Sequence, residues 1–238
     1  MYGLIYTKIA KLVKRGRYDS VIFDVDSTLV TIEGLDFLGK LKNKGEEVKR
    51  LTKRAMEGTV SMREAMAAKM EILRPSYKDI CMMGEAYIKN LTPGAKETVK
   101  ILKDDGFAVW LITGNFQPAV GMLAKHLGIP KQNAITNEIY FDKKGKYLRF
   151  GLDNPLSGNG GKEIILKRYK KRLGRTVLVG DGSTDLEAKE AVDFFIGFGG
   201  VVVRPKVKLS ADAFIEENDI KSVISYILNH KNLTNPHS

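Results

Sequence analysis

The chain has 238 residues, 43% of them hydrophobic, and carries a formal charge of +11 from 39 lysines and arginines against 28 aspartates and glutamates. That length is enough to bury a core; no apolar run reaches the length of a membrane span, and the single cysteine, Cys81, rules out an internal disulfide. The excess positive charge attracts anions of any kind, phosphorylated metabolites and nucleic acids alike.

The N-terminal MYGLIYTKIAKLVKRGR reads as a short basic amphipathic helix without a small-residue cleavage site, so a soluble, cytoplasmic protein is expected. VIFDV at 21–25 is the first strand. The stretch 33–92 is too long for one crossover, and its apolar residues recur at helical spacing: Leu35, Leu38 and Leu41, then Val48, Leu51 and Ala55, then Met62, Ala65, Met66, Met70 and Leu73. It reads as an inserted helical cap. Thr92-Pro93-Gly94 opens the next helix, and FAVWLI at 107–112 is the second strand. A helix from Pro118 to Leu127 ends at Gly128, and NAITNEIYF at 133–141 is the third strand. FDKKGKYLRF at 141–150 suggests a hairpin turning at Lys144-Gly145, added to the edge of the sheet. A helix from Lys162 to Leu173 stops at Gly174, and TVLVG at 176–180 and DFFIGF at 193–198 complete the strands. The tail NHKNLTNPHS reads as frayed. Strands alternating with helices predict an α/β fold with a Rossmann-like parallel sheet. Residues 1–32 and 93–238 would form the core, and 33–92 the cap.

Two acidic clusters stand at strand ends. Side chains two apart share a face of a strand, so Asp24 and Asp26 are expected to converge where VIFDV meets its loop; alone, such a pair is as consistent with turn capping as with catalysis. TVLVGDGSTD then delivers Asp181 and Asp185 to the same edge, where ligands of parallel sheets bind. Clustered carboxylates either take up protons or hold a hard cation, and an oxygen-only set suits Mg²⁺. Thr113 in LITGN, and Lys162 after the glycine-rich SGNGG, are candidates for phosphate oxygens, although Thr113 also fits an ordinary helix cap and Lys162 a surface charge.

In that order DVDST, LITGN, GNGGK and GDGSTD resemble the four motifs of the haloacid dehalogenase superfamily, and DVDSTLVTIEGLDFL with FIGFGG resembles its phosphoserine phosphatase branch. The resemblance implies a Mg²⁺-dependent phosphomonoester hydrolase working through an aspartyl phosphate, with Asp24 as nucleophile and Asp26 as acid and base. It implies metal ligation by Asp24, Asp181 and the Asp26 carbonyl, with Asp185 as an outer ligand, and phosphate binding by Thr113, Gly114 and Lys162.

For substrate, the resemblance implies that Glu33 receives an amine. Lys69 stands where the branch has an arginine for a carboxylate, Met62 where it has an aromatic residue, and Asn115 where it commonly has glycine. Lysine lacks arginine's planar fork, which leaves three readings: Lys69 binds the carboxylate less tightly, Arg63 or Arg74 replaces it, or the substrate is a different phosphometabolite. O-Phosphoserine is the leading expectation, with a phosphotransferase on the same scaffold as the near alternative. A nucleic-acid-binding protein is the remote one, since the sequence shows no basic face interleaved with aromatics; neither a nucleic-acid nor a membrane partner is expected.

Overall fold

The computed structural model describes residues 18–229, so the expected N-terminal helix and nearly all of the expected frayed tail lie outside the described residues. Six parallel strands form one sheet: β1 (Ser20–Phe23), β2 (Ala108–Phe116), β3 (Ala134–Asn137), then, past a separate hairpin of β4 (Ile139–Phe141) and β5 (Tyr147–Phe150), β6 (Thr176–Gly180), β7 (Phe194–Phe198) and β8 (Ala213–Ile215). Their order is β3-β2-β1-β6-β7-β8. The chain builds outward from β1 through β2 to β3, then returns to the other side of β1 to lay down β6, β7 and β8. This reversal opens a crevice at the carboxyl ends of β1 and β6.

Both faces of the sheet are covered, which explains the continuous apolar strands. Val21, Phe23, Val177 and Val179 face one buried cluster, while Ile22 and Leu178 face the other with Trp110, Ile112 and Phe195. Each such side chain contributes about 1.5–3 kcal/mol when fully buried, so the central strands form a rigid platform.

Four helices follow β1 before the sheet resumes: α1 (Gly34–Leu41), α2 (Gly45–Met56), α3 (Met62–Leu73) and α4 (Tyr77–Lys89). Reciprocal capping boxes start α3, between Ser61 and Glu64, and α4, between Ser76 and Asp79. The segment joins the rest through two paired strands of chain: Val30 bridges Leu91, Thr31 N–H donates to Asn90 (2.9 Å), and Thr92 N–H donates to Leu29 (3.0 Å). The remaining helices are α5 (Ala95–Asp104), α6 (Ala119–His126), α7 (Gly161–Leu173), α8 (Ser183–Glu187), α9 (Pro205–Ser210) and α10 (Ser222–Asn229).

Two expectations are corrected. The apolar run 133–141 is divided, with β3 in the main sheet and β4 outside it, and the hairpin forms its own two-stranded sheet instead of extending the edge. Its aromatic residues find burial elsewhere: Phe150 packs edge-on against Phe116, and Phe141 against Tyr77 of α4, whose N–H donates to Gly145 (2.8 Å). The first strand also stops at Phe23, before the aspartates.

Candidate active site

Asp24 is the first residue beyond β1, still extended (φ −69°, ψ 168°), and accepts the N–H of Val25 at 2.7 Å. The next residues form a tight turn, Val25–Leu29, in which Ser27 takes a positive φ of 50°. That turn, and not strand alternation, sets the place of Asp26. The two carboxylates consequently have different neighbours: Asp24 meets Lys162 Nζ at 2.9 Å, whereas Asp26 accepts from Gly34 N–H (2.8 Å), Tyr87 Oη (2.7 Å) and Asn115 Nδ2 (2.8 Å).

Asp181 follows β6 and is buried, with Arg204 Nε at 2.8 Å and Thr28 Oγ1 at 3.3 Å. Asp185, in the first turn of α8, is fully buried against Lys162 Nζ at 2.6 Å and the N–H of Gly182 at 3.0 Å. The fit allows no side chain at position 180, where a Cβ would lie 2.2 Å from the Asp185 carboxyl carbon. Lys162, the second residue of α7, is only 4% exposed and so bridges Asp24 and Asp185 beneath the surface.

Burial acts against every charge here. It raises the Asp26 pKa well above the usual aspartate value, aided by the Glu33 charge and opposed by the three donors. Asp181 is pushed up to about 6, first by burial and then by the Asp24 charge, with Arg204 offsetting part of the rise. Asp185 is raised too, because burial and the Asp24 and Asp181 charges outweigh Lys162. For Lys162 burial disfavours the ammonium, but Asp185 and Asp24 more than compensate and hold it charged. Oxygen atoms of Asp24, Asp181 and Asp185 lie within 4.8 Å of one another, a spacing at which they could hold a metal ion. The raised carboxyl pKa values mark an excess of negative charge that such a cation would relieve.

A cavity of about 420 Å³ opens over this cluster, lined by Asp24, Asp26, Lys162, Thr113 and Gly114 on one side and by Glu33 and Lys69 on the other. Thr113 and Gly114 lie late in β2, and Asn137 Nδ2 steadies the Gly114 carbonyl at 2.8 Å. Glu33 precedes α1 and accepts the Ser27 hydroxyl at 2.6 Å. Ala65, Lys69 and Leu73 are four apart on α3, so Lys69 shares its buried face and is 7% exposed. No hydrogen bond or ion pair to Lys69 is found among the described residues, and burial lowers its pKa against the pull of Asp36 and Glu33. Arg74 is instead engaged with Glu71 at 3.0 Å and stacked over Tyr147, and Arg63 is exposed beside Gly158. Two site residues escaped the sequence reading. Arg204, just before α9, contacts Asp181 and lies 3.7 Å from Glu33, and Tyr87 reaches Asp26 from α4. The arginine follows the FIGFGG phrase, a positional hint; the tyrosine gives none.

A parallel sheet with a carboxylate nucleophile candidate after its first central strand, a buried lysine against it and acidic residues after the neighbouring strand defines the haloacid dehalogenase-like hydrolases. The model of that family matches residues 18–193, and the chain belongs to it. Within the family it falls in the phosphoserine phosphatase branch and is a phosphatase. The phosphoserine phosphatase of Drosophila melanogaster is 36% identical over 87% of this chain and 77% of its own length, and that of Homo sapiens is 36% identical over 84% and 89%. The solved structure of a phospho-aspartyl intermediate analogue of phosphoserine phosphatase superposes with a TM-score of 0.73 at 31% identity, covering 88% of this chain and 99% of that one.

Proposed function

We propose that this phosphatase hydrolyses O-phosphoserine, with Asp24 attacking phosphorus and Asp26 handling the protons. The observation that carries the reading is the buried Lys162 placed 2.9 Å from Asp24 at the floor of the cavity. A carboxylate attacks a dianionic phosphate only when the repulsion between them is cancelled. Lys162 supplies one positive charge there, and the hydroxyl of Thr113 and the backbone at Gly114 offer donors to the other phosphoryl oxygens. Asp26 protonates the departing serine oxygen, then takes a proton from the water that hydrolyses the aspartyl phosphate. Its raised pKa favours the acid form needed first.

The donor set fits Mg²⁺, a hard cation that prefers carboxylate oxygens. Asp24 and Asp181, the Asp26 carbonyl and, further out, Asp185 would hold it, and when bound it neutralises charge developing on the phosphoryl group. At the opposite wall, Glu33 receives the substrate's ammonium and Lys69 its carboxylate. The unpaired, buried state of Lys69 supports this role, because an ammonium taken out of water calls for an anion. Residues 33–92 act as the cap that closes this wall.

The test is phosphate release from a panel of small phosphomonoesters with Mg²⁺ present. O-Phosphoserine is expected to give the highest kcat/KM. Preference for a phosphorylated sugar would overturn the substrate, and no release from any member would overturn the reading.

A further inference from the structure

Both oxygens of Asp26 are occupied, and by groups from two different parts of the fold. The N–H of Gly34 and the amide Nδ2 of Asn115 both donate to Oδ2, each at 2.8 Å, while the hydroxyl of Tyr87 donates to Oδ1 at 2.7 Å. Asn115 belongs to β2 and Tyr87 to α4, so the carboxyl is braced from the sheet and from the helical segment together. Tyr87 is fully buried, and Asn115 is 7% exposed. The three groups close on one another: a Cβ at Gly34 would lie 2.2 Å from Tyr87 Oη and 2.8 Å from Asn115 Oδ1.

We propose that Tyr87 and Asn115 are positioning residues for the acid–base step, holding the Asp26 carboxyl in one orientation. The proposal rests on the phosphomonoesterase reading above. Gly34 N–H and Asn115 Nδ2 on Oδ2 and Tyr87 Oη on Oδ1 fix the plane of the carboxyl, which cannot turn about its Cβ–Cγ bond without breaking hydrogen bonds to the sheet and to the helical segment.

In the step they orient, Asp24 bonds to phosphorus, the ester P–O bond breaks with its electron pair on the leaving oxygen, and that oxygen takes the proton from Asp26. Water then attacks the aspartyl phosphate, its proton passes to Asp26, and the bond from phosphorus to Asp24 breaks with its electron pair on the carboxylate.

The experiment measures kcat/KM of wild type, Tyr87→Phe and Asn115→Gly on O-phosphoserine, phenyl phosphate and 4-nitrophenyl phosphate. The last has a leaving group that departs unprotonated, so it gains little from a general acid. Each variant is expected to lose about tenfold or more on O-phosphoserine and phenyl phosphate while staying within about threefold of wild type on 4-nitrophenyl phosphate. Equal losses across the series would make the two residues structural, and no loss on any would show that Asp26 is oriented without them; either overturns the proposal. If wild type hydrolyses both aryl phosphates but not O-phosphoserine, the substrate assignment fails and the aryl pair alone decides the positioning role. A wild type inactive on all three would remove both. Glycine at position 115 places no new atoms in the site, so that variant stands as the second measure should Tyr87→Phe lose its fold.

Discussion

Lys69 is the residue whose substitution separates substrate reading from chemistry. Lys69→Ala is expected to lower kcat/KM for O-phosphoserine by about 2 kcal/mol, the scale of one charged hydrogen bond, and to leave an uncharged aryl phosphate nearly unchanged. Lys69→Arg should hold or improve O-phosphoserine turnover by restoring a planar fork. Steady-state kinetics on both substrates checks this, and equal losses would assign Lys69 to support of α3. A second residue-scale prediction concerns Asp181. Its pKa is raised from 3.8 to about 6, so the folded, cation-free protein binds this proton more tightly than the unfolded chain. The stabilisation linked to that proton is present below the unfolded pKa and is lost as pH rises through about 6. A cation binding the ionised form should therefore raise the Tm more at about pH 7.5 than at about pH 5. Calorimetry with Mg²⁺ and with chelator reads the difference, and equal shifts would contradict it. At this scale, much was legible in the sequence. Asp24, Thr113 and Asp181 stand in contiguous motifs at strand ends and Lys162 follows a glycine-rich turn at a helix start, and residue type and local pattern together bring all four to the cavity or its floor. Tyr87 and Arg204 were not legible, because only folding brings them to Asp26 and Asp181, 61 and 23 residues away in the chain.

Among the elements, α7 has the strictest placement. Its first residue, Gly161, approaches the preceding chain so closely that a Cβ would lie 2.1 Å from the Pro155 carbonyl oxygen, a backbone atom that cannot swing aside. Gly161→Ala should push the helix start outward and carry Lys162 with it. The expected cost is about 1–3 kcal/mol in a denaturant titration, with a fall in kcat for every phosphomonoester. Unchanged stability would mean that the loop before α7 yields freely. The helices themselves were legible from periodicity and glycine stops: Gly128 and Gly174, which end two of them, both take positive φ. The hairpin's position was not. The Lys144-Gly145 turn in FDKKGKYLRF specifies two paired strands but not what covers their aromatic residues, and here Tyr77 of α4, Arg74 after α3 and Phe116 of β2 cover them. β8 has three residues, too short to stand out from its surroundings by pattern.

For the whole molecule, the cavity lies between the strand ends and α1 to α3, and the hairpin joins the helical segment to the sheet side through Tyr77 and Gly145. If the helical segment acts as the proposed cap, it is expected to admit small esters and exclude folded phosphoproteins, whose kcat/KM should fall orders of magnitude below that of O-phosphoserine; comparable rates would contradict closure. The fold class followed from strand and helix alternation, while the closeness of the helical segment to the sheet came only with the tertiary contacts. The central claim is that Asp24 carries the phosphoryl group, and Asp24→Asn should abolish turnover with the fold retained. The most direct measurement is acid quench of the wild-type protein during turnover of radiolabelled O-phosphoserine with Mg²⁺, followed by peptide mapping of the retained label. The account predicts a hydroxylamine-sensitive phosphoryl group on Asp24 that is absent from Asp24→Asn. Label on another residue, or full turnover by Asp24→Asn, would contradict it.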